Sequence, residues 1–185
     1  MKAVTRRLFF ACWPDDQVRR AIVERRALLG ELTRRRVPDH NLHLTLLFLG
    51  NQPADSVEDI QGVAGEIQAS PITMTLDRFG WFRGARVAWL GGDASPATRQ
   101  LVTDLAEAMR GLGLKFDRRP FHPHVTLFRQ VRQCPDFPEP PPLTWEPGEF
   151  ALIESISSRP YQVLRMWSVE CGGDGRRKTG DGTDP

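Results

Sequence analysis

Apolar runs alternate with polar stretches along the chain and predict ten regular elements. The first is a buried strand at residues 8–13, which Pro14 stops. A helix follows, capped by Asp15 or Asp16, with an apolar stripe that reaches Leu32 and an end at the arginines of residues 34–36. Further strands are predicted at residues 42–49, 72–76, 86–90, 122–128, 150–157 and 163–169, and further helices after Pro53 and after Ser95.

The order of these elements predicts two related halves. A strand, a helix and a second strand occur in residues 8–49 and again in residues 86–128. Residues 135–142 hold five prolines and are predicted to form an extended connection. The expected fold class is α+β, a bilobed fold of two antiparallel sheets with flanking helices. A pseudo-twofold axis would relate the two sheets and leave a cleft between them.

One short phrase, His-x-Thr-Leu, occurs at residues 43–46 and again 81 positions later at residues 124–127. Because side chains alternate across a strand, His43 and Thr45 share one face while the leucines beside them point into a core. His124 and Thr126 are predicted to do the same. Each copy presents an imidazole, with a pKa near neutrality, beside a neutral hydroxyl. Two such half-sites facing each other would supply one base and one acid to a bound oxyanion.

Composition limits the possible classes of protein. The 185 residues fit one domain, expected at residues 1–171, and the polar residues 172–185 are expected to be a disordered tail. A net charge of +2 argues against wholesale coating of nucleic acid. Three cysteines without metal-binding spacing favour a reducing compartment and give no support to zinc. No apolar run suits a signal peptide or a membrane span, so we expect a soluble cytoplasmic protein.

The two phrases and their flanks resemble those of the two-histidine phosphoesterases. Phe-Leu-Gly follows the first copy at residues 48–50, Phe-His-Pro precedes the second at residues 121–123, and Arg129 follows it. The likeness covers residues 6–170. Within this superfamily it is greatest for the bacterial and archaeal RNA 2′,3′-cyclic phosphodiesterases, historically called 2′-5′ RNA ligases, whose first strand is similar to residues 7–11.

This resemblance implies a site in which both phrases converge on one phosphate, with no metal and no cofactor. His43 and His124 would be the catalytic acid and base, and Thr45 and Thr126 would bind the phosphate. Arg129 corresponds to a further phosphate contact. In a regular strand Arg129 would face away from His124, so this role requires the strand to end or to bulge before it.

The implied reaction is hydrolysis of a terminal RNA 2′,3′-cyclic phosphate to a 2′-phosphate. His43 would protonate the departing 3′ oxygen and His124 would activate water. The expected partners are RNA with such ends or small cyclic nucleotides, with no membrane, and the protein is expected to be a monomer. Two alternatives use the same cleft: reverse 2′-5′ ligation of RNA, and binding of nucleotides or RNA ends without turnover. The intact histidines argue against the second.

Other residues near the phrases have less specific interpretations. His40 and His122 lack a threonine partner and are predicted to be loop or support residues. Phe48 shares strand parity with the leucines and is predicted to be core. Trp81 and Phe82 are predicted either to stack on a base or to form a tucked-in hydrophobic loop. The arginines of residues 34–36 are predicted to be solvated surface at a helix end.

Overall fold

Strands and helices alternate along residues 4–157 and 159–169, the part of the chain that the computed structural model describes. In this part, the three helices are α1 (Asp16–Ala27), α2 (Val57–Gly65) and α3 (Pro96–Gly111). The eight strands there are β1 (Thr5–Cys12), β2 (Leu44–Pro53), β3 (Met74–Phe82), β4 (Val87–Ala94), β5 (His124–Phe128), β6 (Leu143–Trp145), β7 (Glu149–Glu154) and β8 (Gln162–Ser168). The tail predicted at residues 172–185 lies outside the described residues.

Two helices begin where their capping residues predict. Asp15 accepts a hydrogen bond from the backbone N–H of Val18 (2.8 Å), and Ser95 accepts one from that of Thr98 (3.2 Å). Helix α1 ends earlier than its apolar stripe suggests, because the chain turns through Gly30 in the left-handed region (φ 60°). No helix in the described ranges is long and apolar enough to cross a membrane.

The arginines of residues 34–36 are not at the end of a helix, as the sequence predicted. They lie in an extended segment beside β5, where Arg36 forms an isolated bridge to Phe128. The backbone N–H of Arg129 donates to the carbonyl of Arg35 (2.9 Å), and that of Val37 donates to the carbonyl of Leu127 (2.9 Å). This segment therefore satisfies backbone groups of β5 that no other strand pairs.

All eight described strands form one antiparallel sheet in the order β6-β3-β4-β5-β2-β1-β7-β8, which corrects the expectation of two sheets. The α+β class is confirmed. The halves join at the two histidine strands through a single register pair, Leu44 with Val125. The physical reason is that each histidine strand would otherwise be the edge of its own half, with unpaired backbone groups. Their pairing turns two four-stranded halves into one sheet.

Strand β6 is an element that the sequence pattern did not predict. It has three residues and pairs with β3 at the sheet edge, directly after the proline-rich connection. The guanidinium of Arg25 on α1 donates to the carbonyls of Pro141 (2.7 Å) and Pro142 (2.9 Å) just before it. A contact between residues so distant in sequence has no local signal, which explains the omission.

The two faces of the sheet carry cores of very different size. Alternate residues of β1, such as Leu8 and Phe10, belong to the large core, which also contains the buried hydrophobic residues of all three helices. Phe9 and Ala11 point to the opposite face and form a small cluster with Ala151 and Ile153. Among the described residues, this small cluster contains no helix residue. It lies on the face where the histidine phrases place their polar side chains.

Candidate active site

One cavity of about 730 Å³ receives the five residues that the sequence analysis selected. They come from the two central strands, β2 and β5, and from the residues that adjoin them. His43 lies directly before β2, and His124 is the first residue of β5. Because Leu44 pairs with Val125, the two phrases are neighbours in the sheet. The cavity is lined by His43, Thr45, His124, Thr126 and Arg129, together with aromatic and basic side chains.

The two catalytic candidates share the same backbone contact. Nδ1 of His43 donates to the carbonyl of Asn41 (2.7 Å), and Nδ1 of His124 donates to the carbonyl of His122 (2.7 Å). A carbonyl oxygen only accepts, so Nδ1 carries the proton in each ring. Nε2 is therefore the nitrogen that can take a proton from a ligand, or give one to it.

Aromatic rings surround His43. The indole of Trp13 stacks on the imidazole, with the two ring centroids 5.0 Å apart and an interplanar angle of 11°. The Phe9 ring lies 5.1 Å away, and Tyr161 meets the imidazole edge-on at 5.3 Å. Burial in this environment lowers the pKa of His43 to about 4, against the opposing hydrogen bond to Asn41. His43 is therefore neutral at pH 7.

His124 has a corresponding aromatic wall from the other half of the sheet. Phe82 meets its ring edge-on at 5.0 Å, and Trp89 lies 6.1 Å away. Trp89 can lie across β3 because its partner there is Gly80, where a Cβ would be 2.1 Å from the indole. Burial lowers the pKa of His124, the hydrogen bond to the carbonyl of His122 opposes this, and the charges of His122 and Arg119 lower it further.

A β-bulge follows each threonine, and it accounts for the leucine that ends both phrases. One step along β1, from Phe10 to Ala11, spans two steps along β2, so Leu46 is the extra residue. One step along β4 spans two along β5 in the same way, and Leu127 is the extra residue there. Both leucines are buried. Each bulge reverses the strand's alternation immediately after the threonine.

This reversal corrects the prediction for Phe48. Without the bulge Phe48 would point with the leucines into the large core. In the structure it is half-buried, lines the cavity, and packs against the small cluster of Phe9 on the second face of the sheet. Phe48 thus stands in the first half at the position that Arg129 occupies in the second.

A cavity position for Arg129 required β5 either to end or to bulge before it, and the structure shows both. A bulge precedes it at Leu127, and β5 ends at Phe128. The next residue, Gln130, has a φ of 59°, and the carbonyl of Arg129 accepts a hydrogen bond from the hydroxyl of Thr33 (2.8 Å). The guanidinium is close enough to His43 to contribute to the lowering of its pKa.

The remaining histidines differ in their relation to the cavity. His40 lies exposed in a short 3₁₀ turn, and its backbone carbonyl accepts a hydrogen bond from the indole of Trp13 (3.2 Å). His122 lines the cavity, with its ring centroid 5.9 Å from that of His124. Burial is the main cause that lowers the pKa of His122. The backbone carbonyl of His40 thus holds Trp13, and that of His122 holds His124.

Trp81 and Phe82 both line the cavity at the end of β3 rather than forming a separate loop. The indole N–H of Trp81 donates to the carbonyl of Val131 (3.0 Å), which ties that ring to the scaffold. Whether either ring stacks on a base stays a prediction. Sequence reasoning did not select Trp13, Tyr161 or Arg7 for the site, although the parity of β1 places Arg7 and Phe9 on one face.

The donor set of the described residues does not suggest a metal centre. Within residues 4–157 and 159–169, no three side chains of His, Cys, Asp or Glu are grouped so that they could hold a metal ion. Catalysis without a metal stays a prediction, which chelation tests directly.

A sheet that brings two His-x-Thr phrases to one cavity resembles the two-histidine phosphoesterases, the class that the motifs predicted. The chain belongs to the 2′-5′ RNA ligase superfamily, whose family model matches residues 14–158. It is 35% identical over 170 residues to the RNA 2′,3′-cyclic phosphodiesterase of Escherichia coli strain K12, covering 88% of this chain and 96% of the relative. The enzyme of the same name from Thermus thermophilus is 32% identical over 205 residues, covering 95% of this chain and all of the relative.

The fold agrees with the sequence comparison. A crystal structure of Escherichia coli LigT complexed with 3′-AMP superimposes with a TM-score of 0.81 at 33% identity. The superposition covers 90% of this chain and 99% of LigT. The family predicted from the two phrases is confirmed.

Proposed function

We propose that this protein hydrolyses the 2′,3′-cyclic phosphate at the end of an RNA strand to a 2′-phosphate, by acid/base catalysis with two histidines. The observation that carries the proposal is the shared cavity. Two imidazoles with identical backbone anchors lie there beside two threonines, on adjacent strands. Relatives named RNA 2′,3′-cyclic phosphodiesterase match nearly the whole chain, which supports the main function and not a binding module without turnover.

In the proposed reaction, water attacks phosphorus while the bond to the 3′ oxygen breaks. His124 takes the proton of the water at Nε2, and His43 donates a proton from Nε2 to the departing 3′ oxygen. The burial that lowers the pKa of His43 to about 4 opposes a positive charge on this imidazole. The anionic phosphate must therefore supply the favourable interaction that keeps one imidazole protonated.

Neutral and cationic donors of the cavity bind the phosphate in this scheme. The hydroxyls of Thr45 and Thr126 donate to its nonbridging oxygens, one from each strand. The guanidinium of Arg129 adds a charge-assisted contact from beyond the end of β5. Donors held in place by the sheet stabilise charge that develops on these oxygens without reorganising during the reaction. Catalysis then requires no metal.

We infer that the two halves are related by a pseudo-twofold axis between β2 and β5. The matching bulges after Thr45 and Thr126, and the matching histidine anchors, support this relation. We also propose that the protein acts as a cytoplasmic monomer on RNA ends. All five site residues come from one chain, so the cavity needs no second copy.

The same site supports a second reaction, 2′-5′ ligation of RNA, which the description of the matching family favours. In this reaction the 5′-hydroxyl of a second RNA takes the place of water: His124 accepts its proton at Nε2, the bond from phosphorus to the 3′ oxygen breaks, and His43 protonates the departing 3′ oxygen, which leaves a 2′-5′ linkage. Water competes with that hydroxyl, so ligation is expected only at high concentrations of RNA ends.

The proposal is tested by product analysis in the presence of a chelator. Nucleoside and oligonucleotide 2′,3′-cyclic phosphates are incubated with the protein and EDTA, and 2′- and 3′-phosphates are resolved by chromatography. We expect 2′-phosphate alone, at the rate measured without EDTA. Loss of activity in EDTA with recovery on adding Zn²⁺ or Mn²⁺ would contradict the metal-free scheme. A 3′-phosphate product would reverse the assignment of the leaving oxygen.

A further inference from the structure

The cavity holds more positive charge than one cyclic phosphate needs. Among the residues that the structure describes, four arginines line it, Arg7, Arg83, Arg119 and Arg129, against one acidic residue, Asp117. Its carboxylate is already occupied, because Nε of Arg119 donates to both of its oxygens (3.0 and 2.9 Å). This pairing lowers the pKa of Asp117. The other arginines thus face the cavity with their charge available to a ligand.

Arg7 differs from its neighbour in this respect. Arg6 forms an ion pair with Glu154, whereas in the described part of the chain no carboxylate lies within ion-pair distance of Arg7. Its guanidinium instead lies over the ring of Phe48, 5.2 Å from the centroid. A cation on an aromatic face keeps its hydrogen-bond donors free at the ring's edge.

The bulges explain why this pair lies in the cavity. Phe48 occupies the position in the first half that Arg129 occupies in the second, and it pairs with Phe9 across the sheet. Phe48 cannot itself bind a phosphate, but it holds the guanidinium of Arg7 on the same face. The first half thus contributes Arg7, by way of an aromatic platform, at the place where the second half contributes Arg129 directly.

The location of Arg7 indicates which group it would bind. Arg7 and Phe9 share a face of β1, where alternate residues are spaced by roughly 6.6 Å. The ring of Phe9 is 5.1 Å from that of His43. Arg7 is therefore displaced by roughly 6.6 Å along β1 from the residue that lies beside His43, a distance similar to that between successive phosphates of a single strand.

We propose that Arg7, supported by Phe48, binds a second phosphate, the one on the 5′ side of the nucleotide that carries the cyclic phosphate. This inference rests on the proposed function and specifies its substrate: an RNA end is preferred over a cyclic mononucleotide that lacks a 5′ phosphate. The second phosphate is either the linkage to the preceding nucleotide or a free 5′-phosphate, and the substrates of the experiment separate these sources.

The experiment compares three substrates: a nucleoside 2′,3′-cyclic phosphate, the same compound with a 5′-phosphate, and a dinucleotide with a terminal 2′,3′-cyclic phosphate. Each is assayed with wild type, Arg7→Gln and Arg7→Lys. We expect Arg7→Gln to lower kcat/KM about tenfold for the substrates that carry a second phosphate, and much less for the first. If the wild-type kcat/KM is higher for the dinucleotide than for the nucleoside 2′,3′-cyclic phosphate, and the 5′-phosphate alone gives no such increase, the internucleotide linkage is the source of the second phosphate.

Salt dependence supplies a readout that a loss of packing would not change. For the dinucleotide, the slope of log kcat/KM against log [KCl] should become less steep by about 0.7 in Arg7→Gln, as expected for one lost phosphate contact on a single strand. Arg7→Lys keeps the charge and should keep most of the slope. The matched control is Arg110→Gln, which removes an exposed arginine 5.8 Å from the ring of Phe116, outside the cavity.

The outcomes are distinct. An equal loss on all three substrates, or no loss on any, would overturn the second-phosphate site while leaving the proposed function intact. If wild type hydrolyses none of the three, the proposed function fails and this inference fails with it. Thermal unfolding of each variant is measured alongside, and an unchanged midpoint attributes the kinetic loss to binding.

Discussion

At the scale of single residues, the site consists of two histidines whose environments are built in the same way. Each donates Nδ1–H to the carbonyl two residues before it, and each lies against aromatic rings from one half of the sheet. This arrangement fixes the tautomer and leaves Nε2 for chemistry. The lowered pKa of both rings follows from the same burial that orients them.

Removal of either imidazole should abolish most of the activity. We expect His43→Ala and His124→Ala each to lower kcat by about 10²–10⁴-fold, because each removes one proton transfer. Thr45→Ala and Thr126→Ala should keep part of the activity and raise KM. His40→Ala is the matched control, since only its backbone carbonyl supports the site. Hydrolysis of a 2′,3′-cyclic nucleotide at wild-type rates by both histidine variants would refute the site.

The pH profile follows from the lowered pKa values. One histidine must be neutral and the other charged, so kcat/KM should rise and fall with pH as a bell. Since both pKa values in the free site lie below 6.5, the centre of this bell should also lie below pH 6.5. The limbs belong to the coupled pair. The profile of kcat should lie at higher pH, because the bound anion raises both pKa values. A rate that climbs steadily from pH 5 to 9 would indicate attack by hydroxide.

At the scale of elements, close packing of β3, β4 and β5 positions the second phrase. Gly91 on β4 pairs with His124, and a Cβ there would lie 2.6 Å from the carbonyl oxygen of Pro123. The residue before His124 is therefore in contact with a strand that has no side chain at this point. The backbone position of His124 depends on this close approach.

Gly91→Ala should therefore displace β5 and impair the site. We expect a loss of about 1–3 kcal/mol in the free energy of unfolding from overpacking, and a larger fractional loss of kcat than in any equally destabilised variant elsewhere. The control is Gly62→Ala at an exposed position of α2, where no described residue lies within 4 Å of an added Cβ. It should stabilise the protein by about 1 kcal/mol. Urea unfolding and kcat are measured together, and full activity in Gly91→Ala would contradict this role.

At the scale of the whole molecule, the buried histidines link stability to pH. His43 has a pKa of about 4 in the folded protein and an ordinary pKa of 6.5 when unfolded. Between these values the unfolded chain binds more protons than the folded one, so the free energy of unfolding falls as pH falls. The lowered pKa values of His122 and His124 act in the same direction.

Urea unfolding at pH 7, 6 and 5 should show this loss, with little change above pH 7. His43→Gln should be measurably less sensitive over the same range, because glutamine carries no proton to bind. A wild-type protein that became more stable between pH 7 and pH 5 would show that burial of the histidines does not control the dependence.

The sequence by itself determined the features that depend on neighbours along the chain. Capping by Asp15 and Ser95 is a local hydrogen bond, and the shared face of each histidine and its threonine follows from strand alternation. The duplication of the phrase with its flanks was enough to predict the family. Capping and strand alternation do not depend on which residues pack against these segments.

The tertiary structure decided everything that depends on a partner strand. Bulges arise from the register between two strands, so the cavity positions of Phe48 and Arg129 could not be read from either strand alone. The pairing of Leu44 with Val125 made one sheet from the two that were expected. The rings of Trp13 and Tyr161 reach His43 from distant segments, and burial among such rings is the largest cause that lowers its pKa. Alternation and capping are local, whereas register and burial are set by contacts between residues far apart in the chain.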